Sequence, residues 1–297
     1  FFSSFKTFLF LKGTAFMKII ISGCGKIGAT ILENLVAEGH DIVAIDNSQN
    51  VIQEVTNVYD VMGVCGNCFD SDILEEAGIS EADLFIAAAG SDESNMMSCF
   101  LARKLGAKHT IARIRNPEYN DKSLGRLRHY FELSLSINPE RLAAHEIFNI
   151  LKFPSAVKID SFSRRNFEMI ELRLKNDSVL DGLKLSEIRE KYKTQVLFCC
   201  VQRGNEVYIP DGNFVLKSGD KVGLTATQTE ISKLFKAIGL AQKQCKNVML
   251  LGGSRIAYYL SEMLTNTGIS VKIIDRNEAN CELLADLLPK AIIINAD

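Results

Sequence analysis

Charge imbalance, long apolar runs and clustered histidines are all missing from this 297-residue sequence, and each absence excludes a class of function. Lysine and arginine number 34 against 36 acidic residues, a net charge of -2. Without a basic excess or a long basic run, nothing in the charge pattern supports a nucleic-acid partner. No stretch reaches the ~18 consecutive apolar residues that a membrane-spanning helix requires. The four histidines, His40, His109, His129 and His145, are scattered through turn, strand and helix-like stretches. They supply no metal cluster and no evident general base. No Ser-x-x-x-Lys or Tyr-x-x-x-Lys stands where a substrate would sit, so no catalytic residue and no metal site are expected.

The eight cysteines mostly lie in apolar runs, where Cys packs as a small hydrophobe. Cys65 and Cys68 form the single CxxC, and no second pair or nearby histidine completes a zinc site. Free thiols in a reducing compartment follow. The first residues, FFSSFKTFLFLKGTAF, have too short an apolar centre for a span or a secretion signal. Residues 1–16 are expected to be a non-native or disordered extension, with Met17 the natural start.

From Met17 the pattern alternates. KIIIS, DIVAID, VMGVCG, DLFIAAA and HTIARI read as five strands. Helical stripes follow over 27–38, from 51, over 72–77 and over 95–105, and Gly39 stands where a C-cap belongs. This predicts an α/β domain over 17–137, a Rossmann-like doubly wound parallel sheet. Asn138 and Pro139 open a connecting helix within 138–156. Residues 157–241 read as a small α+β domain, with alternating strands, a hairpin at Arg203-Gly204-Asn205, strands on both sides of Ser218-Gly219-Asp220, and a closing helix. Residues 246–297 restart the first pattern.

That restart is an internal repeat. Gly23 and Asp46 are 23 positions apart, as are Gly252 and Asp275; Asp46 to Gly66 and Asp275 to Asn295 are each 20. The second copy stops at its third strand, which predicts a truncated second Rossmann-like domain in a chain that continues past Asp297.

Gly23-Cys24-Gly25-Lys26-Ile27-Gly28 fits G-x-G-x-x-G between a strand and a helix, with an acid ending the next strand. Gly23 permits the tight turn, Gly25 the approach of a pyrophosphate, and Gly28 the packing of helix on strand. The helix N-terminus offers free N–H groups to phosphate. Asp46 is placed for ribose hydroxyls and would repel a 2′-phosphate, which favours NAD over NADP. In the second copy, Gly252-Gly253-Ser254-Arg255-Ile256-Ala257 keeps the first glycine, but Ser254 crowds the phosphate position.

The runs KIIISGCGKIG, VAID, GNCFDSDILEEAGISEADLFIAAAGSDESNMMSCFLARKLGA and TIARIRNPEY, followed by INPERLAAHEI, together resemble the RCK (KTN) domain family of potassium-transport regulators. The resemblance covers nearly all of 17–297, with 157–241 similar to the family's C-terminal domain. It implies a cytoplasmic regulatory subunit, peripheral on the inner face of the plasma membrane. Its partner would be an integral-membrane potassium channel subunit of TrkH-like type, and it would act as a homo-oligomer, a dimer or tetramer. The implied ligands are NAD(H) or ATP/ADP. The family's contacts would fall on Gly23 through Ile27, on Asp46 and Asn67, on Ala89 and Gly90 after the fourth strand, and on Arg113, a bidentate phosphate partner. The chain departs from the family with Asn67-Cys68, where many relatives have Asp-Ala, and with Ala89-Gly90, where relatives often carry Thr and a small polar residue. Two rival readings remain: an NAD-dependent oxidoreductase, and a sensor of another small ligand, such as a cyclic dinucleotide, in 157–241.

Overall fold

The computed structural model describes residues 16–119, 121–152, 158–162, 167–240 and 245–297. The extension expected over 1–16 therefore lies outside the described residues, apart from Phe16. The chain divides into two compact units, Phe1–Ala143 and Ala144–Asp297.

The first unit is built on six parallel strands: β1 (Lys18–Ser22), β2 (Asp41–Asp46), β3 (Met62–Cys65), β4 (Leu84–Ala87), β5 (Thr110–Arg113) and β6 (Leu135–Ile137). Their order in the sheet is β3-β2-β1-β4-β5-β6. Alternate side chains feed two cores. Ile19 and Ile21 pack with Ile31, Leu32 and Leu35 of α1 (Lys26–Ala37) and Ile52 and Val55 of α2 (Gln49–Val58). Ile20, Val43 and Phe85 face the opposite core, with Leu74 of α3 (Ser71–Glu76) and Met96, Cys99 and Ala102 of α4 (Asp92–Lys104). A sheet covered on both faces explains why its strands read as unbroken apolar runs. Strand order reverses between β1 and β4, which opens a crevice at the strands' carboxyl ends.

The sequence places His129 in a helix-like stretch without bounding the helix, which is α5 (Asp121–Tyr130), and it gives no sign of the three-residue β6. All three β6 residues are only half-buried, so no apolar run marks the strand. The connecting helix is α6 (Pro139–Lys152), begun by the Asn138 side chain, which accepts from the Arg141 N–H at 2.9 Å.

The second unit holds an antiparallel five-stranded sheet: β7 (Lys158–Phe162), β8 (Phe167–Arg173), β9 (Leu197–Arg203), β10 (Glu206–Tyr208) and β11 (Lys221–Thr227), ordered β10-β9-β11-β8-β7. α7 (Leu185–Tyr192) and α8 (Gln228–Ala237) cover one face. The hairpin lies where the sequence put it: Arg203 pairs with Glu206 across Gly204, whose φ is +62°. The strand expected before Ser218 is absent; Val215 makes only an isolated bridge to Lys184. Across that turn Arg203 donates Nε and Nη2 to the fully buried Asp220, both at 2.8 Å.

The remaining strands are β12 (Asn247–Leu251), β13 (Ser270–Asp275) and β14 (Ile292–Asn295), parallel and in that order, with α9 (Arg255–Asn266) and α10 (Glu278–Leu287). Ala144, Phe148 and Leu151 of α6 pack with Tyr259, Leu260 and Leu264. The repeat needs one correction. Asp46 pairs with Cys65, whereas Asp275 pairs with Asn295, so Asn295 answers to Cys65 and not to Gly66. The third strand of the second copy has slipped by one residue.

The Asp220 pair predicts a pH dependence. Burial works to raise this carboxyl's pKa, but the Arg203 fork and the Lys217 N–H outweigh it and hold the value below the ordinary aspartate range. A depressed folded pKa contributes stability above the unfolded value of about 3.9, and that stability is lost as pH falls through the folded pKa. The stability gap between wild type and Asp220→Asn, measured by urea unfolding, should be constant from pH 5 to 8 and shrink below about pH 4. A gap that widens toward acid would contradict this account.

Candidate functional site

A cleft of about 710 Å³ opens at the carboxyl ends of β1, β2 and β4. Its size suits a small-molecule ligand. Gly23, Gly25, Lys26, Ile27, Asp46, Asn67, Ala89, Gly90 and Arg113 all line it. Two expected residues do not. Cys24 is 4% exposed, and burial together with the Asp46 charge pushes its thiol up to about 12, so it is inert. Gly28 is buried beneath the turn.

Each glycine does a separate job. Gly23 has φ +86°, and a Cβ there would lie 2.5 Å from the Ala89 nitrogen. A Cβ on Gly28 would lie 1.9 Å from the Gly23 oxygen, so α1 could not approach. Gly25 has an ordinary φ of -63°, and a Cβ there would meet nothing within 4 Å. The bare backbone at Gly25 therefore serves the cavity and not the fold. No side chain caps α1 at Gly25, which leaves its N-terminal N–H groups facing the cleft.

Asp46 is held by two backbone donors, Cys24 N at 2.8 Å and Ser48 N at 3.0 Å. A carboxylate offers about four lone-pair sites, so capacity remains for ligand hydroxyls. Asn67 sits on the far rim, its Oδ1 accepting from Phe69 N at 3.1 Å. Cys68 lines the cleft beside it, and all eight cysteines are free.

Arg113, at the end of β5, is not free for a ligand: its Nη2 donates to Oε1 of Glu140, in the first turn of α6, at 2.5 Å. Both side chains are mostly buried, and Arg113 Nε and Glu140 Oε2 have no partner. An unpaired buried donor at the cleft is a standing cost of about 1–3 kcal/mol, which an incoming acceptor would relieve.

The sequence reading missed the residue that holds the far wall together. Asn95, fully buried in α4, accepts from Ala89 N at 2.8 Å and donates to Ala89 O at 3.2 Å and Arg113 O at 2.9 Å. Its neighbour Asp92 accepts from Arg115 N and Asn116 N, both at 2.7 Å. The signal was present: Asn95 falls three and four positions before Ser98 and Cys99 on the buried stripe of α4, where a polar residue must have partners.

Among the described residues no group of His, Cys, Asp and Glu could hold a metal ion, and no helix is long and apolar enough to cross a membrane. No histidine lines the cleft.

Known proteins resemble this chain in sequence and fold. The TrkA-N domain model matches residues 19–127 and the TrkA-C domain model residues 169–239. The Trk system potassium uptake protein TrkA of Haemophilus influenzae is 31% identical over 286 residues, 95% of this chain and 62% of that protein. The TrkA homolog of Archaeoglobus fulgidus is 31% identical over 95% of this chain and 63% of its own. The chain thus spans about three fifths of the curated relatives it matches. Among solved structures, the GsuK RCK domain superposes with a TM-score of 0.62 at 20% identity, over 89% of this chain and 56% of that one. The GsuK channel bound to NAD gives 0.61 at 19%, over 95% and 54%. The structural likenesses establish the fold.

Asn95→Ala should destabilise the first unit by about 1–3 kcal/mol, because the Ala89 and Arg113 backbone groups lose their partners. Chemical denaturation checks this, and a change within about 0.5 kcal/mol, the range of an ordinary surface substitution, would contradict it.

Proposed function

Because the chain belongs to the TrkA family, we propose that it is a nucleotide-sensing regulatory subunit of a potassium uptake system, not an enzyme. The observation that carries this reading is the cleft itself: an uncapped helix N-terminus and a ribose-ready Asp46 face an arginine tied to the connecting helix. The relatives are named as potassium uptake proteins, and a similarly folded channel is described bound to NAD, so NAD(H) is the first ligand to test and ATP or ADP the second. The partner is an integral-membrane, TrkH-like channel subunit. The protein works as a homo-oligomer on the cytoplasmic side of the membrane.

The chemistry is binding and transmission. The N-terminus of α1, with its partial positive charge and free N–H groups, would hold a pyrophosphate. The carboxylate of Asp46 would accept from ribose hydroxyls. Phosphate oxygens would compete with Glu140 for the Arg113 guanidinium, whose Nε is still unpartnered. As Arg113 turns to phosphate, Glu140 loses its anchor and the first turn of α6 is released. A ligand shifts such an equilibrium only by its different affinity for the two arrangements, typically about 1–3 kcal/mol. The titratable side chains on the cleft are Lys26, Asp46, Cys68 and Arg113, with no histidine among them.

Two outcomes test this mechanism. Asp46→Ala should weaken NADH binding at least about tenfold, as charged hydrogen bonds contribute about 1.5–3 kcal/mol. The NADH-induced rise in melting temperature should shrink with it, and equal shifts in both proteins would argue against the site. Glu140→Gln, by freeing Arg113, should tighten nucleotide binding about tenfold, the equivalent of about 1.4 kcal/mol of coupling. Calorimetric titration reads this, and unchanged or weaker binding would sever the proposed link to α6.

A further inference from the structure

The second glycine turn copies the first closely enough for their differences to be read one residue at a time. Gly23 and Gly252 have φ of +86° and +92°. Gly25 (φ -63°, ψ -171°) and Ser254 (φ -69°, ψ 167°) share one backbone conformation. Asp275 accepts from Gly253 N at 2.5 Å and Asn277 N at 2.8 Å, as Asp46 does from Cys24 and Ser48. These N–H groups hold the Asp275 carboxyl below the ordinary aspartate range.

Three substitutions then change what the turn can accept. Ser254 stands at the position of Gly25, and its Oγ accepts from Ala257 N at 3.3 Å, so the N-terminus of α9 is capped by its own side chain. Asn280 stands at the position of Val51. Its Nδ2 donates to Gly253 O at 3.0 Å and to Asp275 Oδ2 at 3.3 Å. Val51 has no donor and packs against the core beneath α1. Gly253 stands at the position of Cys24, and a Cβ there would come within 2.6 Å of Asn280 Nδ2. The glycine at 253 thus makes room for the Asn280 amide and for Leu284 Cδ1, which would lie 2.5 Å from that Cβ. The changes act together.

We infer that the second turn is a self-satisfied pseudo-site that takes no nucleotide, with the Ser254 hydroxyl in the place of a phosphate oxygen and the Asn280 amide in the place of a ribose hydroxyl. The inference rests on the nucleotide reading of the first turn. It assigns one nucleotide to each chain, at Gly23–Gly28. The second copy has a structural role instead. Tyr259, Leu260 and Leu264 of α9 seat the second half of α6 through Ala144, Phe148 and Leu151. The second copy is a mount for the connecting helix.

Calorimetric titration of the chain with NADH tests this, together with two transplants into the first turn. Wild type should bind one equivalent. Gly25→Ser should lose that binding at least a hundredfold while keeping its melting temperature, since the backbone there already suits serine and a Cβ has room. Cys24→Gly/Val51→Asn, which installs the amide over Asp46, should weaken binding at least tenfold. Two equivalents on wild type, or an equivalent retained at wild-type affinity by either transplant, would overturn the inference while leaving nucleotide sensing intact. No binding by wild type would instead defeat the nucleotide reading, and the inference with it.

Discussion

The contact on which the site depends is the one between the first turn and its own helix. With only 1.9 Å between a would-be Cβ on Gly28 and the Gly23 oxygen, α1 can start where it does only if residue 28 has no side chain. The same turn is pressed against Ala89, so Gly23 is confined as well. Together these two contacts fix the N-terminus of α1 over the gap between β1 and β4. Everything else in the cleft is positioned from there. Asp46 reaches back to the Cys24 N–H, Asn95 clips the Ala89 loop to the end of β5, and β5 carries Arg113 to the rim.

Much of this was legible in the sequence because the relevant forces are local. A strand buried on both faces shows as an apolar run, and a glycine turn with an acid 23 positions on shows as spacing. Other features left no local trace. β6 is short and half-buried, and β14 is shifted by one residue against its counterpart, a slip visible only in the pairing. Cys24 and Gly28 belong to the motif yet lie behind the cleft wall, since a motif records what a turn needs and not which of its atoms face a ligand. Asn95 and the Arg113–Glu140 pair join residues from distant parts of the chain, so only the folded sheet brings them together.

The two copies share one turn architecture and differ in how its polar groups are closed. The positive-φ glycine, the strand-end aspartate and the helix all persist, because they build the fold. Where the first copy leaves donors and acceptors open, the second closes them with Ser254 and Asn280. An uncapped helix end and an incompletely paired buried arginine are small deficits of stability. At the cleft a ligand would repair both.

In the proposed function the cleft and the connecting helix communicate through Arg113 and Glu140. Amide hydrogen exchange across Asn138–Ala143, with and without saturating NADH, measures it most directly. Exchange in this first turn of α6 should be faster when nucleotide is bound, alongside slower exchange across Gly23–Gly28. Unchanged or slower exchange at Asn138–Ala143 in the nucleotide-bound protein would contradict it.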